Sequence, residues 1–390
     1  MTEERTKYIS FSPYFSGLAN IIMSYEIFLS IAAITGRKVI LPPDCWMLFI
    51  CESQNKKDWK DIWQIFDKNV LLEEFDCIEH RDVPEFQAKF NMMQSKLSYT
   101  GKLKKLQLDL NNLRFKAIDP TECIGHDVIV NGIPETEDFE KFRNNRDIVD
   151  VNCDNQFLHF ENNLFGHYWY HVYPGGEKER NELKDKINRV FKYHPDYYGY
   201  ADTVYNEIGP YNAVHVRRND FLDARYEETE IFNAPEKLLN VINDCPFVDP
   251  KLPLYIATDE KNRKFFNKLE EKYDIYFYQD FTFDYDCENG FGYNDLNDAV
   301  MDQVICAMSE NFFGTYYSTF TKRINVMRGL DGRQADDWFG INHMPEEPDE
   351  DVTSAIPWST AKDNYWHWNQ SSHYQWMKEI DGKLVNEYNP

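Results

Sequence analysis

The chain has 390 residues, 42% of them hydrophobic and 16% aromatic, and sets 42 Lys+Arg against 66 Asp+Glu for a formal charge of −24. That length exceeds the roughly 250–300 residues at which one core stops growing, so two domains are expected, and the acidic balance excludes a general nucleic-acid or anionic-membrane binder. Eight cysteines without a CxxC pair exclude a paired-cysteine zinc site, and no run approaches the ~20 apolar residues of a membrane span.

The elements begin with a βαβ unit. "YISF" at 8–11 reads as a strand and "SPYFSGLAN" as the turn after it. Ile21, Ile22, Tyr25, Phe28, Leu29 and Ala32 then recur at helical spacing, which predicts an amphipathic helix over 18–35 closed by Gly36. A second strand, "VILPP" at 39–43, stops at two prolines. From 44 to 170 the pattern is irregular. Helical pieces are expected near 59–75 and 84–95 and a strand near 127–130, in no order the sequence reveals. "VYPGGEKER" at 172–180 is the expected hinge, with a helix over 178–190 behind it.

Beyond the hinge, strands and helices alternate: strand 213–216, helix 235–243, strand 254–260, helix 261–272, strand 275–278, helix 296–309, strand 312–315 and a short helix over 322–327. This alternation predicts a parallel, doubly wound sheet with ligands outside the carboxyl ends of its strands. The expected division is 1–172, 173–330 and an aromatic extension at 331–390 with twelve acids against four basic residues.

Polar residues gather at four strand-to-loop junctions: "GLAN", "VRRND", "ATDE" and "GTYYSTFT". Arg217 and Arg218 read either as a rim paired with Asp220 or Asp223, or as a guanidinium fork aimed at a diphosphate. His215 lies within its strand, where a satisfied core histidine that helps hold the arginine is the plainer reading and a general base the other. Ser318 or Thr319 reads as an N-cap, and a helix start after a parallel strand is also an anion site. Thr258 and Asp259 look like helix caps, with Asp259 as ligand contact the alternative. His367 and His373 form no metal motif, and no metal is expected.

Together, "AVHVRRND", "LYIATDE" and "GTYYSTFTKRINVMRG", in that order after "GLAN…GRKVILPP", resemble the GDP-fucose-dependent fucosyltransferase superfamily. The resemblance implies a GT-B architecture of two Rossmann-like domains facing across a cleft. It implies an inverting, metal-independent transfer of fucose from GDP-fucose to a hydroxyl of a glycan or protein acceptor. Another GDP- or UDP-sugar donor, or a non-catalytic glycan-binding relative, are the alternatives. Arg217 matches the arginine on the β-phosphate and glycosidic oxygen, with Arg218 adding charge or bracing the loop. Asp220 matches the family's HVRRTD-type aspartate, and Ser318, Thr319 and Phe320 match the β-phosphate segment. Asp302 matches the aspartate that accepts from guanine, and Asn20 the asparagine of the family's first turn. A catalytic carboxylate is expected in "FLDARYEETE", at Glu227 or Glu228 ahead of Asp223 and Glu230, with Glu26 structural. Ala19 stands where the family has its second glycine. The secreted members' cysteine pattern, signal and anchor are missing from the sequence, which makes a cytoplasmic location the expectation.

Overall fold

The computed structural model describes residues 6–11, 17–42, 45–46, 59–84, 115–118, 155–160, 176–218, 234–245, 248–286, 295–315, 318–333, 378–381 and 383–385. They fall into two compact α/β units, the first running to Lys192 and the second starting at Tyr193. Residues 85–95 and 127–130, where further elements are expected, and 172–175 of the hinge lie outside the described residues.

The first unit holds β1 (Tyr8–Phe11), α1 (Leu18–Thr35), β2 (Lys38–Leu41), the short antiparallel pair β3 (Cys45–Trp46) and β4 (Trp59–Lys60), α2 (Lys68–Glu74), β5 (Cys77–Glu79), β6 (Phe115–Ile118), β7 (Phe157–Phe160) and α3 (Glu177–Val190). Its sheet is parallel in the order β5-β2-β1-β7-β6. The alternation in β1 puts Phe11 against α1, with ring centroids 4.8 Å from Tyr25 and 4.6 Å from Phe28. The expected amphipathic α1 is instead buried on nearly all sides, Ser24, Glu26 and Ser30 included. The serine hydroxyls donate to the carbonyls of Asn20 and Glu26, which removes the cost of burying them. Gly36 takes the left-handed φ of 60° that closes the helix. On β1 and β7, which are in register, Ser10 Oγ and His159 Nδ1 bond at 2.8 Å inside the sheet.

The single helix expected over 59–75 is broken into β4, a 3-10 turn and α2. Two aspartates break it, because Asp61 accepts from Trp63 N–H at 3.0 Å and Asp67 from Asn69 N–H at 2.9 Å, each starting a new element. The helix α3, assigned to the second domain from sequence, belongs to the first unit. Phe191 at its end lies 5.3 Å from Phe66 and 6.1 Å from Trp63, and Arg189 pairs with Glu74 of α2 at 2.7 Å.

The second unit contains α4 (Pro195–Ile208), β8 (Asn212–Val216), α5 (Pro235–Asp244), β9 (Leu254–Thr258), β10 (Ile275–Tyr276), α6 (Asp295–Met308), β11 (Asn311–Gly314), α7 (Thr319–Leu330) and the hairpin β12 (Lys378–Ile380)–β13 (Lys383–Val385). Its sheet is parallel in the order β10-β9-β8-β11. Val214, Val216, Ile256 and Phe313 bury one face with Leu238, Val241 and Ile242 of α5. Helix α4 went unforeseen, although Pro195 at its first turn and Gly209 behind it, at φ 72°, are stop-and-start signals. The helix expected over 261–272 is two 3-10 turns, because Asn262 accepts from Lys264 N–H at 3.3 Å and starts the tighter winding. Conversely, α7 runs past Gly329 to Leu330, and the fully buried Arg328 secures the end of α6 beside it. Its guanidinium donates to the carbonyls of Cys306, Ala307, Ser309 and Glu310 at 2.7–3.3 Å. Among the described residues no helix is long and apolar enough to cross a membrane.

Candidate functional site

The site is assembled at the carboxyl edge of the second sheet, where β9, β8 and β11 end side by side. Period-two alternation in β8 sends Val214 and Val216 to the α5 face and His215 to the other, against α7. His215 Nδ1 shares a hydrogen bond with Thr321 Oγ1 at 2.7 Å, and its ring lies 4.6 Å from that of Phe320. Burial, aided by the neighbouring Arg217 charge, pushes its pKa down to about 3. His215 is therefore a neutral pin between strand and helix. Gly314 lets α7 come that close, since a Cβ there would meet Thr321 Oγ1 at 2.7 Å and His215 Cβ at 3.1 Å.

The two arginines leave β8 in different directions. Arg217 Nη1 pairs with Asp259 Oδ2 at 2.8 Å, both side chains 16% exposed, while its backbone N–H donates to Thr315 Oγ1 at 3.0 Å. Arg218 is buried. Its N–H donates to Asp259 Oδ1 at 2.7 Å, its Nε to Glu260 at 2.7 Å, and its guanidinium stacks 3.5 Å from the Phe265 ring centre. Among the described residues, ion-pair partners are thus Asp259 and Glu260, just past the end of β9, because the parallel register sets that end beside β8's. Asp220 and Asp223, the partners expected from sequence, lie outside the described residues.

Two capping expectations need correction. Thr258 and Asp259 do not cap a helix: Thr258 Oγ1 donates to Val216 O at 2.7 Å and accepts from Glu260 N–H at 3.1 Å, while Asp259 is spent on the arginines. Both side chains face the adjacent strand, which outcompetes local capping. Ser318 does stand at the N-cap of α7, with extended φ/ψ, yet its side chain makes no capping bond. Its own N–H is tied to Thr315 O at 3.1 Å. The first-turn amides of α7 are therefore not capped by the serine.

Asp302 lies on α6, against the sheet face opposite α5. It is half-buried and accepts from Tyr255 Oη at 2.5 Å. Burial pushes its pKa up to about 7; the Tyr255 hydrogen bond counteracts this and the Asp298 charge adds to it. Asn20 belongs to the first unit, half-buried in the first turn of α1. Glu227, Glu228 and Glu230 fall outside the described residues. Sequence reasoning passed over Thr315, Glu260, Phe265 and Thr321, and a threonine ending a strand beside "VRR" was the one available signal.

Residues 8–331 match the family described as GDP-fucose protein O-fucosyltransferase. The chain belongs to that family. A relative from Caenorhabditis elegans, GDP-fucose protein O-fucosyltransferase 2, is 32% identical over 127 residues, covering 32% of this chain and 27% of that protein. The chain thus spans about a quarter of that relative's length. Among solved structures, POFUT1 in complex with GDP-fucose is similar at 13% identity and a TM-score of 0.47, over 86% of this chain and 98% of that one. Fucosyltransferase NodZ from Bradyrhizobium is similar at 13% identity and a TM-score of 0.42, over 84% and 94%.

Proposed function

We propose that this family member transfers fucose from GDP-fucose to a hydroxyl of a glycan or protein acceptor, with inversion and without a metal. The carrying observation is the ion-paired Arg217 at the sheet's carboxyl edge, one strand from the helix start at Ser318. A guanidinium and a set of helix amides are the two kinds of donor that hold a diphosphate. As the glycosidic bond breaks, negative charge grows on the departing GDP. Arg217 stabilises that charge, with Ser318, Thr319 and Phe320 holding the β-phosphate. The guanidinium and the helix amides together supply the neutralisation that a metal supplies elsewhere. His215, neutral and tied to Thr321, keeps the strand end and the α7 start in register.

Asp302 accepts from the N1–H and amino group of guanine, an edge on which adenine offers an acceptor at N1 and so fits badly. In this reading Arg218 braces the junction through Glu260 and Phe265, Asp259 acts through the arginines, and Asn20 and Asp220 complete the donor site. The acceptor hydroxyl attacks the anomeric carbon opposite the leaving GDP, with Glu227 or Glu228 as the base. A GT-B assembly of the two α/β units belongs to the same proposal.

Calorimetric titration with GDP, UDP, ADP and GDP-fucose, with and without EDTA, tests it. Metal-independent binding of GDP and GDP-fucose alone is expected. Preference for UDP or ADP, or an absolute need for a divalent ion, would overturn the donor assignment.

A further inference from the structure

The nucleobase contact has a support that the family resemblance did not flag. Tyr255 is fully buried in β9, between β8 and β10, and its ring packs 6.3 Å from those of Tyr211 and Phe281. From that fixed base its hydroxyl reaches across to α6 and donates to Asp302 Oδ1 at 2.5 Å. Asp302 keeps part of its surface open, and its other oxygen makes no hydrogen bond among the described residues. One turn earlier on the same helix, Asp298 is held by a second tyrosine: Tyr278 Oη donates to it at 2.9 Å and is bonded to Tyr285 Oη at 2.6 Å. Two carboxylates four residues apart on one helix repel each other. Each accepts from a tyrosine hydroxyl.

We propose that Tyr255 is the positioning residue of nucleobase recognition: its hydroxyl aims Asp302 and favours its carboxylate form, which can accept the paired N–H donors of guanine. The inference rests on Asp302 being the guanine contact. Chemically, a carboxylate has about four lone-pair sites, so one spent on Tyr255 leaves enough for two more donors. A protonated Asp302 would turn a donor toward the guanine edge and reject it.

The groups acting on Asp302 set where that happens. Burial and the Asp298 charge favour its protonated form, and the Tyr255 hydrogen bond favours the carboxylate, leaving its pKa near 7. The other titratable neighbours are Tyr211, ahead of β8, and Cys306 of α6, both held neutral by burial, with Tyr278 beyond Asp298. Of the cations facing α6, Arg328 of α7 is spent on the carbonyls at its end, and Arg323 of α7 lies over Tyr193.

The sign follows. Asp302 accepts from guanine only when ionised, so GDP affinity is full above its pKa and falls below it. Tyr255→Phe removes a hydrogen bond to the charged form and should raise the midpoint by about one pH unit, weakening GDP binding about fivefold at pH 7. Asp298→Asn removes the like charge and should lower the midpoint. If the tyrosine merely filled space, the midpoint in Tyr255→Phe would not move.

The experiment is calorimetric titration with GDP from pH 5.5 to 8.5 on the whole chain, comparing wild type, Asp302→Asn, Tyr255→Phe and Asp298→Asn, with melting curves as a fold check. Asp302→Asn comes first: its flattened profile isolates the titration of GDP itself, and wild-type affinity in that variant would sink the guanine reading. Given a weakened Asp302→Asn, opposite midpoint shifts in Tyr255→Phe and Asp298→Asn are expected. Wild-type affinity and profile in Tyr255→Phe, or an equal loss at every pH, would overturn the role of Tyr255. Should Tyr255→Phe fail to fold, Tyr255→Met, which also lacks the hydroxyl, takes its place, and a midpoint that stays put or falls in that variant overturns the inference.

Discussion

Asp259 is the joint on which both arginines turn, and substituting it separates its structural work from its electrostatic work. Its Oδ1 takes the Arg218 N–H at 2.7 Å, and its Oδ2 faces Arg217 Nη1 at 2.8 Å. At that distance two unit charges interact by about 6 kcal/mol gross at an effective dielectric of about 20, most of it offset by desolvation. Asp259→Ala removes the acceptor and takes this counter-charge from a mostly buried guanidinium. Losses of about 3–5 kcal/mol are typical for fully buried pairs, and residual solvent contact here lowers the expectation to about 2–4 kcal/mol. Asp259→Asn keeps a neutral acceptor for the Arg218 amide and should cost about 1–2 kcal/mol.

Urea unfolding at pH 7, repeated with GDP at a hundred times its dissociation constant, gives the readout. Ligand at that level adds about 2.7 kcal/mol to the wild type. Asp259→Asn should gain at least as much, because the diphosphate replaces the missing counter-charge on Arg217. The reasoning is refuted if both variants unfold like wild type, or if GDP protects Asp259→Asn less than it protects wild type.

Two other outcomes follow from buried groups outside the ligand contacts. Arg328→Leu strands the carbonyls of Cys306, Ala307, Ser309 and Glu310 at the end of α6, so a loss of about 3–5 kcal/mol is expected in urea unfolding. A change within 1 kcal/mol would mean that water satisfies those carbonyls. His159 in the first unit and His215 in the second both have pKa values pushed down to about 3 by burial. A folded value below the unfolded one makes the unfolded chain bind more protons at these sites, so the histidines' contribution to stability falls as the pH drops below about 6.5. Each histidine should contribute about 1.4 kcal/mol per pH unit between there and 3. Unfolding measured at pH 7 and pH 5 checks this, and His215→Gln should flatten the slope; an unchanged slope would refute the neutral-pin account of His215.

What the sequence by itself determined is the local grammar: the βαβ opening, the alternation after 211, and the polar strand ends at Arg217, Asp259 and Ser318. Those signals are short-range. Side-chain period, a glycine at a helix end and a proline at a helix start act within a few residues, so strand β8 and helix α6 appear nearly where the pattern predicts them. Where side chains had a choice of partners, the local pattern misled. Thr258 and Asp259 read as caps, but strand order β9-β8 offered them the Val216 carbonyl and the arginines instead. Arg217 and Arg218 pair with Asp259 and Glu260, just past the end of the neighbouring strand, a match that sequence proximity does not reveal. Helix α3 looked like the start of a second domain until Phe191, Phe66 and Trp63 closed around one another. The tertiary structure alone decided these pairings, and also that Tyr255 meets Asp302 from 47 residues away. Sequence spacing carries no information about such contacts, because the parallel register and the packing of α6 and α7 on one sheet face bring them together.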